Sequence, residues 1–154
     1  ESHVNSIKDG VNIFLSFGEI DCRNQEGIIH YFKKNGGNLE DIIRATVSGY
    51  FDYVTGTLKE KKSNVFFFSV PAPVINETHN TKLKEVNLLR IDVIKLFNQQ
   101  LQWKISGTEF KYIDTYSKTD DGTGRSNKKF HVDDAHLDYR ILPFIEKQLM
   151  RQAS

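Results

Sequence analysis

Cysteine, methionine and tryptophan each occur once among the 154 residues, and proline three times. The single thiol, Cys22, excludes an internal disulfide. It reads as a small packed residue rather than a reactive one, and it leaves the compartment open, a cytoplasmic setting being slightly favoured. No apolar run approaches the roughly 20 residues of a membrane span, and no signal peptide is visible. Charge of one sign is also missing. Lysine and arginine total 21, aspartate and glutamate 20, for a formal net charge of +1. That balance asks for neither nucleic acid nor an anionic membrane as partner. Repeats and low-complexity segments are absent. The chain opens on Glu1-Ser2-His3 and its only methionine is Met150. The expectation is therefore a processed chain or part of something longer.

What is present is one soluble domain's worth of sequence, residues 1–154, 38% hydrophobic and 27% charged. Val11 to Phe17 is short, mostly apolar and bounded by Gly10 and Gly18, as a buried parallel strand would be. A short helical piece, Gly27 to Lys34, closes at Gly36-Gly37. Asn38 then caps a long helix. Leu39, Ile42, Ile43, Val47, Tyr50, Phe51, Val54 and Leu58 follow at i, i+3, i+4 spacing. Asn64 to Val70 reads as a second buried strand stopped by Pro71 and Pro73. Lys82 to Gln102 reads as a second long helix and Phe110 to Ile113 as a third strand. Residues 114–129 read as a flexible polar loop, and an apolar series from Leu137 to Leu149 as the last helix. Strand and helix alternating in this way predict a parallel α/β layer architecture.

Two blocks carry chemistry. Asp133 stands three residues before His136, so a tight turn can put both on one face. The carboxylate can then hold one imidazole nitrogen while the other takes a proton from a nucleophile. The plainer alternative is a loop histidine and a helix-capping aspartate. The second block, Gly18-Glu19-Ile20-Asp21-Cys22-Arg23, leaves the carboxyl end of the first strand, the edge where open α/β sheets bind ligands. Gly18 brings its N–H close to a substrate oxygen or simply ends a strand with positive φ. Glu19 and Asp21 form an acid pair or part of a metal site, but no histidine at helical spacing supports a metal. Arg23 clamps an anionic group or pairs with Glu19 or Asp21. His3, His30, His79 and His131 read as surface or packing residues. Both blocks should line one crevice.

Phe17-Gly18-Glu19-Ile20-Asp21-Cys22-Arg23 is similar to the third block, Gly-x-Asn-Asp, of the SGNH (GDSL-like) hydrolases. Ile20 stands where that family places an Asn, and Gly-Glu-Ile-Asp-x-Arg resembles a variant in a polysaccharide-associated branch. Asp133-Asp134-Ala135-His136-Leu137 resembles the fifth block, Asp-x-x-His. The resemblance runs from Val11 to about Leu149. It implies a three-layer α/β/α fold with a parallel, flavodoxin-like sheet. It makes His136 the base, Asp133 its orienter and Gly18 a neighbour of the oxyanion hole, with no metal or cofactor. The family's Gly-Asp-Ser block and second-block Gly are not in this sequence, and Ser2, Ser6 and Ser16 have other surroundings. The implied function is an esterase or acyl hydrolase, on acylated carbohydrate, whose serine lies outside the chain and whose N-terminal strand or strands are missing. The alternatives are a non-catalytic binding or scaffold domain of the same fold, and an unrelated flavodoxin-like domain with a coincidental Asp-x-x-His. The Val11–Phe17 strand, lacking a neighbour, would leave an edge open to homodimerisation.

Overall fold

The computed structural model describes residues 8–58, 61–76 and 78–152. It is a mixed α/β protein built on a three-stranded parallel sheet. The strands are β1 (Asn12–Leu15), β2 (Asn64–Phe68) and β3 (Lys111–Ile113), in spatial order β1-β2-β3. Ile13 pairs with Val65, and Phe67 with Tyr112. The first two strands are shorter than their apolar runs: Ser16 to Gly18 and Val70 build the carboxyl edge, while the Ser69 N–H still donates to the Ile113 carbonyl. Between β1 and β2 lie α1 (Gly27–Asn35) and α2 (Leu39–Leu58); between β2 and β3 lies α3 (Thr81–Ile105).

Side chains alternate across the strands, so Ile13, Val65 and Phe67 share one face. They pack with Ile28 and Ile29 of α1, Ile43 and Val47 of α2, and Val93, Ile94, Phe97 and Leu101 of α3. Cys22 is fully buried in this cluster, and burial pushes its thiol well above the usual cysteine range. Phe14, Phe66 and Phe68 stand on the opposite face, where Phe14 stacks on Phe66 at 4.9 Å between ring centroids. Phe14 stays 45% exposed, and β1 is the outer strand of the described sheet.

The last part of the chain departs from its sequence reading in two ways. Residues 114–129 contain a short helix, α4 (Tyr116–Thr119), and a loop tied by its own side chains. Asp120 accepts the N–H groups of Gly122 and Gly124, Asp121 the N–H and hydroxyl of Thr123, and the buried Thr119 hydroxyl donates to the Thr115 carbonyl. Asp, Thr and Gly make the stretch polar, yet they also supply the turns that order it. The final helix, α5, spans Leu142–Gln152, so Leu137 and Ile141 precede it, the latter in a 3₁₀ turn. α5 buries none of its residues completely. It joins β3 through polar ties instead: Gln148 accepts from the Asp114 N–H, and Gln152 donates to the Tyr112 carbonyl.

Candidate functional site

The three strand ends and the loop before α5 converge on one edge of the sheet. Gly18 ends the run after β1 with φ of +93°, and a Cβ there would lie 2.5 Å from Cε1 of Phe97. Only glycine fits both the backbone and the space. The chain then turns through a 3₁₀ segment, Ile20–Cys22, in which the Cys22 N–H donates to the Gly18 carbonyl.

That tight turn separates residues that the sequence reading had grouped. With about three residues per turn, neighbours fan out in different directions. Glu19 and Arg23 stay together: Nε and Nη2 of Arg23 donate to the Glu19 carboxylate at 2.7–3.1 Å. Nη2 of Arg90, from α3, reaches the same carboxylate at 3.5 Å. Burial pulls the Arg90 guanidinium down from its ordinary value, and Glu19 opposes that shift. Asp21 turns away. It accepts from the Tyr50 hydroxyl at 2.8 Å and lines a separate cavity between α1 and α2. Burial, then this bond, pushes the tyrosine up to about 12. Asp21 therefore does not share a crevice with His136, and Gly18 is buried behind the crevice wall.

Asp133 and His136 do come together, in a turn before α5 rather than on a helix. The His136 carbonyl accepts from the Val132 N–H, and the Phe130 carbonyl from the Asp138 N–H, closing the turn. Asp133 Oδ1 accepts the N–H groups of Ala135 and His136, while Oδ2 lies 2.7 Å from His136 Nδ1. The ring contact first, then the two backbone bonds, holds the Asp133 carboxyl well below the usual carboxylate range. The helix cap of this region is Asp138, which accepts from the Arg140 N–H. Nδ1 is thus committed to Asp133, and no described residue hydrogen-bonds Nε2. The ring is 74% exposed. The pair is an oriented base open to a proton donor.

Two cavities meet at His136, and both are also lined by Glu19 and Ala135. One, of about 670 Å³, is a polar groove that includes Arg23, Asn24, Arg90 and Asp133. The other, of about 300 Å³, is a slot walled by Phe68, Pro71, Leu137, Ile141 and Ile145. Ser16, Ser69 and Thr115, which follow the three strands, also line the slot. The hydroxyls of Ser69 and Thr115 are spent on each other and on backbone groups.

One pairing lacked any signal in the sequence. Ser126 Oγ lies 2.8 Å from His131 Nδ1 and also accepts the Lys128 N–H. Ser126 is buried, burial holds His131 below its ordinary value, and the Ser126 N–H donates to the Pro73 carbonyl. The pair pins the 120–131 loop under the site. Only the loop's path brings the two side chains together. Among the described residues no three of His, Cys, Asp or Glu converge as metal ligands, and no helix is long and apolar enough to cross a membrane. Neither a scan against protein-family models nor a search of curated proteins finds a match for this chain.

Proposed function

We propose that this chain carries the acid–base half of an SGNH-like serine acyl hydrolase acting on acylated carbohydrate, with the serine supplied from outside these 154 residues. The observation that carries the reading is the Asp133–His136 pair, 2.7 Å apart on the cavity-bearing edge of a parallel sheet. Further support comes from the sheet: β1 is an outer strand with exposed Phe14, and a neighbouring nucleophile strand would extend it toward a flavodoxin-like, three-layer arrangement. In this scheme Nε2 of His136 takes the serine proton as the hydroxyl attacks the acyl carbonyl. Asp133, kept ionised, stabilises the imidazolium, which then protonates the leaving alcohol. Water repeats the cycle on the acyl-enzyme. Glu19, fixed by two arginines, shapes the wall beside the base. Ile20 brings no side-chain donor for the oxyanion.

The test is ester hydrolysis by the chain extended upstream through a Gly-Asp-Ser segment. Activity on a short-chain acyl ester should fall by about 10²–10⁴-fold in His136→Ala. An unchanged rate in that variant would remove the hydrolase reading and leave a binding domain of the same fold.

A further inference from the structure

We infer that the two cavities meeting at His136 divide the substrate: the apolar slot takes a short acyl group, and the polar groove takes an uncharged or amino-bearing polyol while rejecting an anionic one. The inference rests on the hydrolase reading and adds to it the chemistry of each half of the substrate.

The slot has the attributes of an acyl site. Its walls at Phe68, Pro71, Leu137, Ile141 and Ile145 are hydrocarbon, and the Ser69 and Thr115 hydroxyls beneath them have no bond to offer. A polar group against those walls would lose its water without compensation, the polar lining of Ser16, Glu19 and His136 standing apart from them. Its volume, about 300 Å³, lies at the small end of ligand pockets and sets an upper limit on the acyl group it holds.

The groove has the opposite character. Four carboxylates, Glu19, Glu26, Asp133 and Asp134, face two guanidiniums, Arg23 and Arg90. Both guanidiniums are already turned to Glu19. An entering phosphate or uronate would meet excess negative charge, and both guanidiniums already face Glu19, although Nε of Arg90 is buried without a partner. Hydroxyl groups both donate and accept, which suits a wall carrying carboxylates together with the amides of Asn24 and Gln25. A protonated amine would be attracted by the same excess charge. His136 stands where slot and groove join, which is where the bond between acyl group and alcohol must lie.

The experiment uses the 154-residue chain and needs no turnover. Isotope-labelled protein is titrated with methyl butyrate, methyl glucoside, glucosamine and glucuronate, and shifts are followed by NMR. Methyl butyrate should move the methyl signals of Leu137 and Ile141. Methyl glucoside and glucosamine should move the amides of Asn24 and Gln25. Glucuronate should bind about tenfold or more weakly than glucosamine. Ile145→Phe, which fills the slot from a half-buried position, should abolish the butyrate response and spare the sugar response. Glu26→Lys, at a residue 55% exposed, should restore glucuronate binding. Butyrate shifts in the groove, glucuronate binding equal to glucosamine, or no response to any probe would overturn the inference. Failure of the hydrolase reading would appear elsewhere: the four probes would behave as stated, while the upstream-extended protein would hydrolyse no ester.

Discussion

The Asp133 carboxylate holds both the ring and the backbone N–H of His136, each at 2.7 Å. One side chain therefore sets the shape of the turn and the orientation of the base. Because these bonds depress its folded pKa, the stabilisation is fully present above the ordinary aspartate value of about 3.9. It is lost only as pH falls through the lower folded value. The step that the Asp133 carboxyl produces in the Ala135 amide shift should fall well below pH 4, and Asp133→Asn should remove that step. A midpoint near 3.9 would show that the carboxylate is not held.

Gly18→Ala should be strongly destabilising. It combines a positive φ with a Cβ driven into Phe97 and Val70. The expected loss is about 3 kcal/mol in urea unfolding, from backbone strain and overpacking together. Phe97→Val should recover part of it in a double-mutant cycle. A loss under about 1 kcal/mol would mean that the turn after β1 rearranges cheaply.

Asn98 of α3 continues the sheet with its side chain. Its Oδ1 accepts the Val70 N–H and its Nδ2 donates to the Val70 carbonyl, both at 2.8 Å and both buried. Asn98→Leu leaves two buried backbone groups without partners, at a cost of about 2–4 kcal/mol in thermal or urea unfolding. Near-neutral stability would require that water takes over both bonds.

Cys22 should be inert in the folded protein. Burial raises its thiol, so little thiolate forms at neutral pH. Alkylation by iodoacetamide should follow global unfolding and accelerate with urea. Rapid labelling without denaturant would show that the segment around Ile20–Cys22 opens on its own.

Without an added nucleophile segment the chain should hydrolyse no activated acyl ester. Ser16 lines the slot beside His136, yet its hydroxyl makes no bond to the ring. A rate that vanishes in His136→Ala would identify Ser16 or an activated water as the nucleophile.

Periodicity and capping in the sequence were enough to determine α1 to α3 and the three strands, but not α4 or the start of α5. Asn38 and the i, i+3, i+4 apolar series set α2, and two short apolar runs closed by glycine or proline set β1 and β2, because spacing along one chain decides which face is buried. Asp-x-x-His likewise determined the Asp133–His136 pair, since three residues of separation close a turn locally. The tertiary structure decided everything that depends on direction or on distant neighbours. It sent Asp21 to Tyr50 and Glu19 to Arg23 and Arg90, because a tight turn aims adjacent side chains apart. It joined Ser126 to His131, and it placed an apolar slot and a charged groove on either side of one imidazole. Those relationships arise from the path of loops over the sheet edge, and no periodicity along the chain encodes them.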